Sequence, residues 1–432
     1  MPKFFPGLPF FQAIFIKLFG SNGFFLVSPA MGLIAVGTFY LYLKKQFSPL
    51  WTVTGTLLLA THPLFLTYAN YPDTHITLLA FSSSMLFFWQ KWEEKPTIKN
   101  AFWFTVIIGF MGLTHLTSLL LILGIFPSLI TKKEIKNSII TMFAVGMIFV
   151  LILALYNKKA FGQPWITGYH LSGDGDGFSP IYFASNVKYF GFHFVLTFFP
   201  LLPLFFLNFG YPTAKRWSIL LSVFPYLIVY LCYYYGRSSI AYYRFFIILF
   251  PWFLWGIIQF LVALKIPAKF KQGIAFALIL FSLTLQLYQG HLWSEMVVSN
   301  PEKKMMADMS QWASQNLPEN AVIFTEYPFL YQLGNLKHFE IVDLKAFNLE
   351  QAQSWLNPNE KAPYTQKIRL DLLHAFYQTQ TRESLQALFQ STLQRFKSQR
   401  KPIYLLSTEV KGEELKSWKW NEKTWILSKT YE

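Results

Sequence analysis

The sequence predicts an α-helical polytopic membrane protein of about ten transmembrane helices with a C-terminal soluble α/β domain. Three observations carry this reading. Only 14% of the 432 residues are charged, while 53% are apolar and 19% aromatic; soluble domains carry about 25% charged residues. The charges are also unevenly placed. Residues 300–432 hold 17 Lys+Arg and 15 Asp+Glu, leaving 20 basic and 7 acidic residues for positions 1–299. Between those few charges run apolar segments of the length a bilayer demands, about 20 residues. The composition excludes a disordered chain, a coiled coil, a collagen and a nucleic-acid-binding arm. The net charge of +15 therefore reflects membrane loops and not a polyanion-binding surface.

In chain order, residues 1–21 form an outer interfacial amphipathic segment. Pro9 to Gly20 set Phe10, Phe11, Ile14, Phe15, Leu18 and Phe19 on one broad face, with Gln12 and Lys17 off it, the pattern of a helix lying in a membrane interface. No signal peptide precedes it: a basic n-region, an apolar h-region and a small-residue cleavage site are all missing from 1–21. Residues 22–295 form the transmembrane domain. Its apolar runs fall at roughly 22–43, 50–69, 74–90, 101–115, 117–130, 138–156, 187–208, 217–235, 241–264 and 273–290. The polar notch Thr114-His115-Leu116-Thr117-Ser118 divides 101–130 into two helices.

Alternate loops carry 13 basic residues: Lys44, Lys45, Lys91, Lys95, Lys99, Lys132, Lys133, Lys136, Lys215, Arg216, Lys265, Lys269 and Lys271. The opposite side carries 7. The positive-inside rule makes the first set cytoplasmic. Residues 1–21, the 66–75 turn, the 157–186 loop, the 236–243 turn and the tail then lie outside the plasma (inner) membrane. The 157–186 loop, rich in Gly and aromatic residues, is expected to be a lid.

From 296 to 432 the composition becomes mixed, which predicts an extracytoplasmic α/β domain. Glu302–Asn316 and Thr381–Arg395 read as helices. Ala321–Glu326, Glu340–Leu344, Ile403–Ser407 and Thr424–Ser428 read as strands. The single cysteine, Cys232, allows no disulfide within the chain and reads as a small membrane-helix residue.

Ionisable groups at membrane depth are costly and mark functional sites by default. Among the seven acids of the membrane part, Asp73 alone abuts membrane helices, in the turn Tyr68-Ala69-Asn70-Tyr71-Pro72-Asp73-Thr74-His75. Its bland reading is a helix N-cap. On the same predicted side stand His75, His115, Arg237 and the Tyr243-Arg244 pair. Arg244 either snorkels to water or, with Arg237 or His115, binds a lipid phosphate through its forked donors. Tyr169, His170, Asp174 and Asp176 belong to the outer loop and are candidates for acceptor contacts. Asp73 with His75 is a candidate divalent-metal pair. His62, ahead of Pro63 within a helix, reads as packed. No HExxH, CxxC, Walker, GxGxxG or GxSxG pattern occurs.

The run Phe5-Pro6-Gly7-Leu8-Pro9, the stretch ending Phe19-Gly20 and the span ending Tyr40-Leu41-Tyr42-Leu43 resemble the GT-C glycosyltransferases. The resemblance is to the bacterial branch related to protein O-mannosyltransferases and the aminoarabinose transferase of lipid A. It continues through His62-Pro63, Tyr71-Pro72-Asp73, Tyr156-Asn157, Phe161-Gly162-Gln163-Pro164, Gly168-Tyr169, Tyr243-Arg244 with Pro251, and Trp312 with Leu317-Pro318 and Ala321-Val322-Ile323. It spans most of residues 4–330, with the order of loose motifs carrying the match. It implies transfer of a sugar from a polyprenyl-phosphate donor to a lipid, glycan or protein acceptor on the outer membrane face. It also implies Asp73 as an active-site carboxylate, with Tyr243, Arg244, Arg237 and His115 at the donor phosphate. The family keeps a first membrane helix and a first acidic motif ahead of the interfacial helix. The sequence begins at that interfacial helix, so Asp73 matches the second family acid. A catalytically inactive or truncated homologue, and a multi-pass transporter, are the alternative expectations. Paired half-repeats, the mark of many transporters, are not found.

Overall fold

In the computed structural model, the residues described are 5–20, 23–70, 73–131, 136–167, 177–191, 194–195, 200–208, 216–233, 240–298, 301–325, 339–347, 381–407, 413–420 and 423–431. The chain divides into two compact units, Met1–Gln289 and Gly290–Glu432.

The first unit is helical. Helix α1 (Gly7–Phe19) packs on α2 (Gly23–Lys44) and α6 (Ile98–Thr114). Its N-terminal half is docked: Phe10 stacks on Phe110 at 5.8 Å, and Phe11 lies 5.3 Å from Phe110 and 5.8 Å from Phe81. Its C-terminal half leaves Leu18 and Phe19 exposed, as an interfacial helix would. At Gly7 the backbone of α1 meets Thr114 so closely that an added Cβ would collide with the Thr114 backbone nitrogen at 2.7 Å.

Helices α3 (Pro49–Ala60) and α4 (Pro63–Ala69) form one apolar run bent by 57°. Proline supplies the cause. Pro63 has no N–H for the helix ladder, and the residue before a proline is driven out of the α region; His62 sits at φ −68°, ψ 130°. The frayed ends are satisfied locally. His62 Nδ1 accepts from the Leu64 N–H at 3.2 Å, and the Thr61 hydroxyl donates to the Leu57 carbonyl at 2.7 Å. His62 is buried against Phe250, packed as expected.

Helix α5 (Thr74–Glu94) is the central pillar, with 16 buried residues and long contact with α2 and α6. Helix α6 stops at His115, which is extended at φ −163°, and a 3₁₀ run Leu116–Ile125 follows, then α7 (Phe126–Thr131). The chain thus turns at the predicted polar notch. Next come α8 (Lys136–Phe161), α9 (Phe183–Tyr189), α10 (Leu202–Leu207), α11 (Arg216–Leu231), a 3₁₀ run Ile240–Leu249, α12 (Phe250–Ala263) and α13 (Ala268–Val298).

Among the described residues, four helical stretches are long and apolar enough to cross a membrane: Gly23–Lys44, Lys136–Phe161, Tyr243–Ala263 and Ala268–His291. The bent α3–α4 pair raises this to five. Shorter apolar helices stand at Gly7–Phe19, Ile98–Thr114, Leu116–Ser128 and Trp217–Leu231. The expected span 187–208 lies partly outside the described residues; its described parts include the end of α9, α10 (Leu202–Leu207), and Pro200 and Pro203. The first unit is thus helical, with several apolar helices among the described residues.

The second unit is built on a five-stranded sheet of order β2-β1-β3-β5-β4. The strands are β1 (Val322–Thr325), β2 (Glu340–Asp343), β3 (Ile403–Ser407), β4 (Glu413–Trp420) and β5 (Lys423–Tyr431). Strands β2, β1 and β3 are parallel; β5 and β4 are antiparallel additions. Helices α14 (Pro301–Asn316) and α15 (Arg382–Ser398) precede β1 and β3. Alternate side chains face opposite ways along a strand. Accordingly Ile323, Tyr404 and Leu406 join Met305, Met309 and Ala313 of α14 in one core, while Val322, Phe324 and Ile403 join Leu393 and Phe396 of α15 in the other.

Strand β4 is not foreseen by alternation because the strand carries a bulge. Glu414 pairs with Ser428 and Lys416 with Leu427, leaving Leu415 as the extra residue. Leu415 and Trp418, three positions apart, therefore pack on the same core, a spacing that period-two reading rejects.

Candidate functional site

The site forms where α5 begins. Asp73 has an extended backbone (φ −122°, ψ 147°) and is the N-cap of α5, its Oδ1 accepting from the His75 N–H at 2.8 Å. The Thr74 hydroxyl donates to the same oxygen at 3.4 Å. The Asp73 N–H in turn donates to Ser28 Oγ on α2 at 3.3 Å. Ser28 is fully buried and precedes Pro29, which lies inside α2.

The capping reading is therefore true, but it uses one carboxylate oxygen. The other, Oδ2, stands 3.8 Å from Arg244 Nη1, and His75 Nδ1 lies 3.7 Å from Oδ1. The Asp73 side chain is 10% exposed and that of His75 7%, against 34% for Arg244. Arg244 Nε is buried with no hydrogen-bond partner. A guanidinium about one-third exposed, with an acid at ion-pair distance, has the forked donors that an anion could use beside the carboxylate.

Aromatic side chains frame this pair. Phe245 lies 5.0 Å from the His75 ring and stacks on Tyr230 at 4.9 Å. Tyr243, 1% exposed, stacks on Tyr189 of α9 at 5.6 Å and packs on Phe194 at 5.3 Å. The 3₁₀ run carrying Tyr243 and Arg244 is tied by its carbonyls: the Tyr226 hydroxyl donates to the Phe245 carbonyl at 2.9 Å and the Ser82 hydroxyl to that of Ile248 at 2.8 Å.

His115 joins the site indirectly. Its Nδ1 is bonded to the Thr117 hydroxyl at 2.7 Å, and that hydroxyl to the Tyr230 hydroxyl at 2.9 Å. Phe5 lies edge-on to the same imidazole at 6.3 Å. The structure thus brings Asp73, His75 and Arg244 together, with His115 linked through Thr117 to Tyr230, which stacks on Phe245 beside His75. Tyr243, next to Arg244 in the chain, packs on Tyr189 and Phe194. Arg237, Tyr169, His170, Asp174 and Asp176 lie outside the described residues.

Residues that sequence reasoning missed are Ser28, Thr117, Tyr226, Tyr230 and Phe245. One signal was available: Tyr226 and Tyr230, four apart on an apolar helix, share a face. Among the described residues no three His, Cys, Asp or Glu side chains converge as a metal set. Asp73 and His75 supply two candidate ligands there, with His75 Nδ1 3.7 Å from Asp73 Oδ1.

Residues 2–156 match the family model described as dolichyl-phosphate-mannose-protein mannosyltransferase. No curated protein matches the chain. Among solved structures, it is similar to ArnT from Cupriavidus metallidurans bound to undecaprenyl phosphate, with TM-score 0.54 and 14% identity over 83% of this chain and 82% of that one. The apo form of the same protein gives 0.51 and 13% over 83% and 81%. The Archaeoglobus fulgidus oligosaccharyltransferase in the apo form gives 0.51 and 12%, over 94% of this chain and 62% of that one. At such identities the likeness speaks for the fold. Together with the family match over residues 2–156, it identifies the chain as one with the fold of the GT-C superfamily of membrane glycosyltransferases.

Proposed function

We propose that the protein transfers a sugar from a polyprenyl-phosphate donor to an acceptor hydroxyl at the outer face of the plasma membrane. The observation that carries this reading is the Asp73–Arg244 pair, 3.8 Å apart at the end of the bundle that the basic-loop pattern assigns to the outside. The family match and the undecaprenyl phosphate in the ArnT structure support it.

In this reaction the acceptor hydroxyl gives its proton to the Asp73 carboxylate as its oxygen attacks the anomeric carbon. The bond from that carbon to the phosphate oxygen breaks, and polyprenyl phosphate leaves with the electron pair. Arg244 neutralises the charge that grows on the phosphate; a preorganised cation in a dry site is worth far more than one in water. His75 and the α5 N-terminus orient Asp73, and inversion at the anomeric carbon follows from a single displacement. The outer loop 157–186 contributes to acceptor contacts, and the C-terminal domain is extracytoplasmic.

The test exploits the dual role of Asp73. Asn caps a helix about as well as Asp, so Asp73→Asn spares the fold while removing the base. In membranes loaded with a pooled, radiolabelled polyprenyl-phosphate-sugar extract, the parent releases label from the lipid. Asp73→Asn is expected to lower that rate about 10²–10⁴-fold with insertion and undecaprenyl phosphate binding retained. Near-parental transfer by the variant would sink the assignment.

A further inference from the structure

Arg244 can present its forked donors to a phosphate only if the guanidinium is held in place. It lies in the 3₁₀ run Ile240–Leu249, 10 residues long, whereas such runs rarely exceed about three or four because their hydrogen-bond geometry is poor. Contacts from other elements must therefore aim its side chains, and the ring of Phe245 gathers them. We infer that Tyr230 of α11 is a positioning residue for Arg244, acting through that ring. The inference deepens the phosphate-binding role proposed for Arg244 and rests on it.

Three observations carry it. First, Phe245 touches both partners of Asp73. The Arg244 guanidinium carbon lies 5.3 Å from its ring centroid, within cation–π range, and the His75 ring lies 5.0 Å away. Tyr230 stacks on the same ring at 4.9 Å with 22° between the planes, and Tyr233 meets it edge-on at 5.7 Å. Second, Tyr230 is itself tied down. It is 2% exposed and lies 4.7 Å from Tyr226. Its hydroxyl is bonded to that of Thr117, which is bonded to His115 Nδ1. The ring is thus fixed from α11 and from the Leu116–Ile125 run at once. Third, Tyr226 holds the Phe245 backbone, its hydroxyl donating to that carbonyl at 2.9 Å. One turn of α11 therefore sets both the backbone and the ring of Phe245, while Arg244 beside it keeps a side chain that is 34% exposed.

The experiment is a double-mutant cycle on the full chain in nanodiscs. Undecaprenyl phosphate is the probe, and undecaprenol, which lacks the phosphate, is its control. Tyr230→Leu is expected to weaken undecaprenyl phosphate binding about 3- to 10-fold, the scale of an aromatic pair, and to leave undecaprenol binding at the parental value. In the Arg244→Ala background the same change should have no further effect, because the two residues act as one unit. Tyr230→Phe keeps the stack and should recover most of the loss. If Tyr230→Leu fails to insert, Phe245→Leu removes the other ring and takes its place in the cycle. Parental binding by Tyr230→Leu, no recovery in Tyr230→Phe, or equal weakening in both backgrounds or for both lipids would overturn the positioning role while leaving Arg244 at the phosphate. Parental binding by Arg244→Ala itself would overturn that phosphate role and the positioning with it. The Asp73→Asn transfer assay reads chemistry and not affinity, so its failure is separate from either.

Discussion

Helices α8 and α12 both have long apolar middles, yet they meet opposite fates. The membrane-length stretch around α8, Lys136–Phe161, is 11% buried within the protein, whereas Tyr243–Ala263, which includes α12, is 83% buried. Hydropathy alone does not separate them. What differs is side-chain shape and company: α12 contributes Trp252, Phe253 and Trp255, all fully buried, to contacts with Trp89, Phe205 and Tyr42. Helix α8 presents Phe143, Val150, Leu151 and Leu155 to its surroundings. In a bilayer an apolar residue gains nothing by choosing protein over lipid, so packing and not hydrophobicity decides the interior. The packed helix continues the 3₁₀ run that holds Arg244.

The sharpest way to break this comparison is to truncate a packed ring. Phe253→Ala should cost about 3–5 kcal/mol, the scale for a buried Phe, read as a large fall in the midpoint of thermal aggregation in detergent. An unchanged midpoint would mean that α12 is not held by packing. Arg244→Ala should leave that midpoint near parental but weaken undecaprenyl phosphate binding by roughly one to two decades, since a charge-assisted bond is worth about 1.5–3 kcal/mol. Equal binding by parent and variant would return Arg244 to a snorkelling role. In the C-terminal unit, Thr381 caps α15 in a reciprocal box with Ser384, with bonds of 3.1 and 2.9 Å. Thr381→Ala should cost about 1 kcal/mol, visible as faster amide exchange in the first turn of α15. The smallest effect is expected at Leu151→Ala on α8, within about 0.5 kcal/mol, as for surface positions without special features. A cost comparable to that of Phe253→Ala would show that α8 is covered by protein and not by lipid.

Much of the fold was legible because its signals are local. The charge shift near residue 300 marks the change from apolar helices to a mixed α/β unit, and the strands at Ile403–Ser407 and Glu340–Asp343 follow from short apolar runs. The break at His115 was announced by its polar neighbours, and the bend at His62 by Pro63. Less was legible where signals interfere. Strand β4 was hidden by its bulge.

For the site, the sequence by itself singled out Asp73, His75, His115, Arg237, Tyr243 and Arg244, with Tyr169, His170, Asp174 and Asp176 of the outer loop, since ionisable groups beside membrane helices are costly. It could not say that Asp73 would meet Arg244, since the two lie 171 positions apart and their approach depends on how α5 packs against the 3₁₀ run. Nor could it find Ser28, whose hydroxyl matters only because α2 lies along α5 and places it under the Asp73 N–H. Residue type and spacing determined which groups are costly and where helices stop. Only the tertiary structure decided which of those groups share a site, because that depends on long-range side-chain packing, which is not encoded in any local period.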